Sequence, residues 1–327
     1  MEVVFMNTLE KQTAEGRVLS AKVSIGERQG EWVVAWQEPE DGKERHAIWF
    51  EGTSWEEMIA AFRHGVAVKL GEGYEPVVDG MLEDRKGTQG GLVPMLQCYG
   101  ELHARQEVFE ALREWRKARA TADRKAAYAV STNRILWMIS AFLPQTAEEL
   151  KFIPGWGETK SAAYGAEVTG ITKQFARTTT FPLTWVADVL EPDAYAKWLY
   201  KQKENKYRSE LERHKTKRAI LAAVQEGRGL DELQAMLEID RRELVERIEQ
   251  LDREGYDMAP LLDKELDGLP EEERSKIAEA IQTVGDRYLK PILKQAYSEA
   301  ELDGKPLDPI YERLRLMRIR YKKQAAV

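Results

Sequence analysis

Basic side chains are concentrated beside a tyrosine in the middle of the chain. The cluster comprises Lys117, Arg119, Arg124 and Lys125, and Tyr128 follows it directly. Lysine and arginine attract the backbone phosphates of nucleic acids, and an exposed aromatic ring can stack on an unpaired base. The pattern therefore predicts a surface for single-stranded nucleic acid. In the competing interpretation, Tyr128 is a half-buried core residue.

A second candidate site lies at a glycine turn further along the chain. Gly155, Trp156 and Gly157 form the turn, and Lys160 follows in the next predicted helix. A glycine turn that leads into a helix exposes backbone N–H groups at the positive end of the helix dipole, which suits phosphate. A tight turn without a ligand is the alternative. Arg134 completes the set of candidate nucleic-acid ligands.

No pattern for covalent chemistry accompanies these residues. The sequence lacks a G-x-x-x-x-G-K-[ST] phosphate loop, and its four histidines are scattered without metal-ligand spacing. Cys98 is the only cysteine, which excludes an internal disulfide framework and a cysteine zinc site. We therefore expect a protein that is not an enzyme and has no metal site and no cofactor.

The charge is distributed unevenly along the chain. The net charge is −7 over 327 residues. Residues 1–101 carry 10 Lys/Arg against 18 Asp/Glu, residues 102–225 carry 21 against 14, and residues 226–327 carry 18 against 24. Because salt screens charges beyond about 8 to 10 Å, the local balance governs binding. A basic middle segment can therefore bind phosphates although the whole protein is acidic.

The N-terminal segment shows the pattern of a small α+β module. Three β-rich runs, at about residues 17–25, 31–37 and 44–50, are separated by turns, and Ser54 with Glu57 forms a capping box before a helix. This predicts an antiparallel meander closed by a helix. Four tryptophans fall here: Trp32, Trp36, Trp49 and Trp55. Core packing is favoured over base stacking, because the module is acidic.

The middle segment has helical periodicity and resembles a known family. Its three motifs are FEALREWRK (109–117), AAYAVSTNRIL (126–136) and FIPGWGETKSAAYGAEV (152–168). Ser131 in the second motif and Thr146 between the second and third are predicted helix caps, and Tyr164 in the third is a predicted core residue. Over residues 102–175 this segment resembles the HRDC domain of RecQ-type helicases and ribonuclease D. The resemblance implies a five-helix fold that binds nucleic acid weakly, often as single strands, or contacts a helicase.

The C-terminal segment has the spacing of a helix-turn-helix. A long charged helix is predicted over residues 193–225, and apolar residues between 229 and 251 recur as in two short helices that meet at a tight turn. From about Lys215 onward the chain resembles the helicase-associated helix-turn-helix module of some bacterial RecQ-type helicases, with Glu238 at the usual turn glycine. The arginines of the presumed recognition helix alternate with glutamates, which argues against base readout. The basic tail after Arg313 is expected either to bind phosphates or to stay solvated.

These patterns predict a mainly α, multidomain protein. The expected domains are an α+β module (1–83), a linker (84–101), an HRDC-like five-helix bundle (102–176), a helical linker (177–213) and a helix-turn-helix-like helical domain (214–327). The expected function is a non-catalytic accessory role, in which the HRDC-like domain binds nucleic acid non-specifically in helicase, repair or recombination processes. DNA is favoured over RNA, and single strands over duplex.

The alternative is an adaptor that docks a separate RecQ-like helicase through the acidic N-terminal module. A contiguous basic surface would favour nucleic acid, and an apolar patch of mixed charge would favour a protein partner. The sequence has no apolar run long enough for a spanning helix and no secretory signal, so we expect no membrane partner and a cytoplasmic location.

Overall fold

A computed structural model describes residues 2–40, 43–82 and 91–325 of the chain. The chain divides into two compact units, Met1–Arg208 and Ser209–Val327. Unit 1 contains an antiparallel sheet followed by helices, and unit 2 is helical. The protein is therefore multidomain and mainly α, as the sequence predicts.

Unit 1 opens with a five-stranded antiparallel sheet in the order β4-β3-β2-β1-β5. Its strands are β1 (Glu2–Gln12), β2 (Val18–Arg28), β3 (Glu31–Glu40), β4 (Lys43–Gly52) and β5 (Glu75–Pro76). The predicted meander corresponds to β2–β4. The sequence reasoning missed β1, because a bulge between Val3 and Phe5 interrupts the alternation of apolar and polar residues.

Helix α1 (Trp55–Gly71) packs on the sheet and contributes much of its core. The helix begins at the predicted cap, where the Ser54 hydroxyl accepts a hydrogen bond from Glu57 N–H at 3.3 Å. The core interpretation of the tryptophans is confirmed for Trp36, which is 1% exposed and stacks on Trp49. A Cβ on Gly65 would lie only 2.2 Å from the Trp49 ring, so glycine is required there.

A helix occupies most of the predicted linker over residues 84–101. Helix α2 (Leu92–Leu102) buries Leu96, and its Gly100 lies so close to Met138 that a Cβ would be 2.7 Å from that side chain. The linker prediction is therefore wrong for residues 92–101, because this segment packs into a helical core. Residues 84–90 lie outside the described part of the chain.

The middle of unit 1 is a bundle of five helices, as the resemblance implies. They are α3 (Gln106–Ala122), α4 (Ala127–Val130), α5 (Asn133–Phe142), α6 (Ala147–Leu150) and α7 (Glu158–Thr172). The predicted cap at Thr146 is confirmed, since its hydroxyl accepts from Glu149 N–H at 3.1 Å. The predicted cap at Ser131 is wrong, because Ser131 is buried and Thr132 caps α5 instead.

A long helix follows the bundle. After a 3₁₀ turn (Leu183–Trp185) and the short helix α8 (Val186–Val189), helix α9 runs from Pro192 to Gln225. This confirms the predicted long helix. Within unit 1 it is fixed by Trp198, whose indole N–H donates to Glu101 at 2.7 Å.

Unit 2 contains seven further helices around one hydrophobic core. They are α10 (Leu230–Leu237), α11 (Arg241–Arg253), α12 (Ala259–Asp267), α13 (Glu271–Val284), α14 (Leu289–Ala296), α15 (Glu299–Leu302) and α16 (Leu307–Ala325). A tight turn joins α10 to α11, and Glu238 adopts the left-handed conformation there with φ 52°. The expected turn is therefore present, with a glutamate where glycine would be unstrained.

No helix in the described ranges is both long enough and apolar enough to cross a lipid bilayer.

Candidate nucleic-acid interface

The predicted basic cluster lies where α3 turns into α4. The N–H of Lys125 donates to the Ala120 carbonyl at 2.9 Å, and Arg116 Nη1 donates to the Ser131 carbonyl at 2.9 Å. These bonds fix α4 against the last turns of α3. The exposed side chains of both helices are thus held on a rigid support.

Tyr128 projects from this support into solvent. Its side chain is 75% exposed, which contradicts the interpretation as a half-buried core residue. Helix α4 keeps Val130 buried and leaves Tyr128 outside, because the two residues lie on different sides of this single turn. An aromatic ring held in this way is available to stack on a base.

Of the four predicted cations that precede Tyr128 in the sequence, two are free. Lys117 and Arg124 are exposed. Arg113 is also exposed, and it lies one turn before Lys117 on the same face of α3. Among the described residues, none of these three cations forms an ion pair. Sequence reasoning missed Arg113, although its spacing of four from Lys117 was the available signal.

Burial and the neighbouring Arg113 guanidinium lower the pKa of Arg116. Arg113 and Arg116, the residue that holds α4, lie three residues apart on α3 and are therefore neighbours on the helix surface. We name the set Arg113, Lys117, Arg124 and Tyr128 the α3–α4 surface.

Arg119 and Lys125 belong to a different cluster, which faces α7. Arg119 pairs with Asp123 at 3.3 Å and with Glu167 at 3.4 Å. Lys125 lies 3.5 Å from the Tyr164 hydroxyl and 3.6 Å from Asp123. Their prediction as nucleic-acid ligands is therefore corrected, because both cations are engaged within the domain.

Tyr164 organises that internal cluster. It is buried, as predicted, and its hydroxyl donates to Asp123 at 2.7 Å. This hydrogen bond holds the pKa of the Asp123 carboxyl below its ordinary value, and Arg119 and Lys125 add to the effect. The cluster joins the end of α3 to α7.

Packing explains most of the predicted glycine-turn site. Trp156 is 1% exposed, so its prediction as a ligand is wrong: its ring fills the core near Trp115. Gly155 has φ +85°, and a Cβ there would lie 3.0 Å from Ile135. Both features account for the glycine by the geometry and packing of the turn alone.

The start of α7 carries its own negative charge. Gly157 precedes the helix, and Glu158 occupies its first position and pairs with Lys151 at 2.9 Å. Lys160 is half-buried, and burial lowers the pKa of its amine. A carboxylate beside the helix N-terminus competes with a phosphate, so these residues contribute less than the sequence indicates.

Arg134 lies at the beginning of α5. Its side chain is exposed, and Nη2 donates to Gln202 at 3.1 Å. Among the described residues this guanidinium forms no ion pair, and it adds a further cation to the domain surface.

The arginines of unit 2 are largely neutralised. On α11, Arg242 pairs with Glu246 at 3.1 Å and Arg247 with Glu243 at 2.6 Å. On α16, Arg315 and Arg318 both pair with Glu249. The basic tail is therefore neither free nor simply solvated over Arg313–Arg320, because it binds acids of its own unit. The side chains of Lys322 and Lys323 lie outside the described residues.

No group of three or more potential metal ligands occurs in the part of the chain that the structure describes. Burial, with Glu101 nearby, raises the pKa of the Cys98 thiol to about 11. A thiol that stays protonated is a poor nucleophile. Cys98 is therefore a packing residue of α2.

Comparison with known protein families finds one match, and it covers the helices described above. The family model of the HRDC domain matches residues 105–172, which span α3 to α7. No curated protein and no solved structure matches the chain. The matched residues include the α3–α4 surface, and residues 105–172 are therefore an HRDC domain within the chain.

Proposed function

We propose that this protein is a non-catalytic accessory protein that binds nucleic acid through its HRDC domain, in helicase, repair or recombination processes. The binding is non-specific, and single-stranded DNA is the preferred ligand. Phosphates are attracted by the cations of the α3–α4 surface, and Tyr128 stacks on a base.

One observation carries this proposal: a tyrosine that is 75% exposed follows, within a short stretch of sequence, cations that form no ion pair among the described residues. Burying a large ring stabilises a fold by several kcal/mol at most, and an exposed ring gains little of this. A ring left in solvent on a helix that follows free cations in the chain has the chemistry of a single-strand platform. Single strands are favoured because a stacked duplex offers no base face to the ring.

The size of the surface limits the affinity. Three cations neutralise at most three phosphates, so the logarithm of the binding constant should fall with the logarithm of the salt concentration with a slope of about −2. The exposed acids Glu110 and Glu114 on α3 reduce the local field further. Weak, salt-sensitive binding is therefore expected.

For the C-terminal unit we keep the resemblance to the helicase-associated helix-turn-helix module as a structural proposal. The turn at Glu238 supports it. The ion pairs of Arg242 and Arg247 with neighbouring glutamates argue against base readout by α11. We assign this unit a scaffolding role.

Charge removal within the α3–α4 surface tests the binding proposal. The double variant Lys117→Ala/Arg124→Asn removes two free cations, and asparagine tolerates the left-handed backbone of Arg124, φ 52°. Fluorescence anisotropy with a labelled single-stranded oligonucleotide should show at least about tenfold weaker binding near 0.1 M salt. The salt slope should flatten by about 1.4.

Lys173→Ala is the matched control, because Lys173 is an exposed lysine of the same domain at the end of α7. It should leave affinity and slope unchanged. Equal losses in both variants, at unchanged melting temperature, would contradict the assignment of the surface. Absence of any binding by the unaltered protein would favour the adaptor that docks a RecQ-like helicase.

A further inference from the structure

The outer edge of β1 is unpaired over its first half. The short strand β5 pairs only with Leu9 and Glu10, and Val77 N–H donates to the Thr8 carbonyl at 2.8 Å. The main-chain pairing ends at Asn7, whose side chain forms two hydrogen bonds with the Val78 backbone. Within the described residues, no strand covers residues 2–6 at this edge.

The open edge of β1 directs main-chain N–H and C=O groups away from the sheet, where an added strand could pair with them. Because Thr8 directs its carbonyl outward and alternate residues of a strand point the same way, Met6 directs its N–H and C=O to the same edge. Met6 is 60% exposed. An added strand would find hydrogen-bonding partners there, as in recognition by β-strand addition.

An apolar groove of about 340 Å³ lies beside this edge. Its apolar lining includes Val4, Phe5, Trp55, Phe62, Val78 and Met81. Val4 is 60% exposed, Val78 65% and Trp55 51%. Single exposed apolar residues are ordinary on a protein surface, but a contiguous group beside an open strand edge is typical of a binding site.

The charged residues around the groove determine which kind of ligand it would attract. Asp79 is part of the lining, which holds no basic residue in the described part of the chain. Glu2 and Glu27 are cross-strand neighbours at the end of the free edge. A second copy of this chain would bring the same carboxylates together and be repelled, whereas a cationic peptide would be attracted.

We propose that the β1 edge binds an extended peptide whose apolar side chains alternate and whose flanks carry lysine or arginine. The peptide adds as a sixth strand through the main chain of Met6, places apolar side chains in the groove and pairs its cations with Glu2, Glu27 and Asp79. This site is independent of the α3–α4 surface.

Selection with the full-length chain tests the proposal. A display library of random ten-residue peptides should yield sequences with alternating apolar residues and basic flanks. A selected peptide, made synthetically with a fluorescent label, should bind in an anisotropy titration. Hydrogen exchange should then show that the Met6 amide, open to solvent in the free protein, becomes protected.

Two variants test the location of the site, and a third variant is their matched control. Val4→Asp puts a carboxylate in the groove, and Met6→Pro removes the outward N–H that a new strand would use. Ile48→Asp is the control, because Ile48 is 57% exposed on β4, the opposite edge strand. Peptide binding should weaken at least tenfold in the first two and less than twofold in the control.

Three outcomes would overturn the proposal. They are a selection without basic, alternating sequences, equal losses in Ile48→Asp and Val4→Asp, or a dimer in sedimentation that Met6→Pro abolishes. The dimer would assign the edge to a second copy. Oligonucleotide binding should be unchanged in Val4→Asp, so failure here is distinguishable from failure of the proposed function.

Discussion

Tyr128 is the residue on which the binding proposal depends most. Its exposure of 75% means that the fold gains little from the ring. The main-chain hydrogen bond of Lys125 to Ala120 and the Arg116–Ser131 contact hold its helix in place. A rigid support lowers the entropy cost of ordering the ring on a ligand. Stacking by this one side chain can therefore be separated from the electrostatic contribution.

Tyr128→Ala should weaken binding of single-stranded DNA without changing its salt dependence. Loss of one stacked base costs about 1–3 kcal/mol, which is roughly 5- to 150-fold in affinity. Anisotropy titrations at two salt concentrations measure both quantities. Tyr128→Trp, which keeps a stacking surface, should retain binding. A flattened salt slope in the alanine variant would contradict the division of roles.

Glu238 allows a test of backbone strain in unit 2. Its φ of 52° is costly for a residue with a Cβ, so Glu238→Gly should stabilise unit 2 by about 0.5–1 kcal/mol. Urea unfolding followed by circular dichroism measures the gain. Glu238→Ala keeps the Cβ and should show no gain; an equal increase in both variants would refute the strain argument.

At the residue scale, the sequence predicted which side chains cluster but not which are free. Arg119 and Lys125 are close to Lys117 and Arg124 in the chain, yet besides the nearby Asp123 they contact Glu167 and Tyr164, which lie 48 and 39 residues away respectively. Contacts between segments that are distant in the sequence can be identified only once the fold is known. Trp156 shows the same limit, because its burial depends on Trp115 from another helix.

At the element scale, Glu149 ties the start of α6 to the chain after α7. Its carboxylate accepts from Gln145 N–H at 2.7 Å and pairs with Arg177 at 2.7 Å. Burial alone would raise the pKa of this carboxyl, but these hydrogen bonds and the Arg177 charge more than offset burial and lower it below 4.5. A lowered folded-state pKa makes the contact pH-dependent.

Glu149→Gln should destabilise unit 1 by about 1.5 kcal/mol at pH 7, because hydrogen bonds to a charged group are lost. The stabilisation by Glu149 is complete above pH 4.5 and is lost as the pH falls through the lower folded-state value. Urea unfolding at pH 7 and pH 3.5 should show the gap to the unaltered protein narrowing in acid. Glu148→Gln, an exposed neighbour, should show no such gap; a gap that persists in acid would contradict the linkage.

Caps and helical periodicity made most elements predictable from the sequence. Thr146 and Ser54 cap helices as expected, since a cap depends only on residues within the next turn. Helix α2 and strand β1 were missed for different reasons. Helix α2 starts from Gly91 without a side-chain cap, and β1 carries a bulge that hides its alternation.

At the scale of the whole molecule, the net charge of −7 is a poor guide to binding. Residues 1–101 and 226–327 are acidic, and in unit 2 arginines such as Arg318 pair with the unit's own glutamates. The free cations described here lie on the HRDC domain. Since screening limits each field to about 8 to 10 Å, the charges close to that domain's surface, rather than the net charge of the protein, decide whether it attracts phosphates.

The most direct test of this account is a titration of the full chain against labelled oligonucleotides, single-stranded and duplex, DNA and RNA, at two salt concentrations. We predict binding of single-stranded DNA in the micromolar range at low salt, with a salt slope of about −2 and weaker binding of duplex. No binding of any strand at low salt, or binding that salt leaves unchanged, would contradict the account.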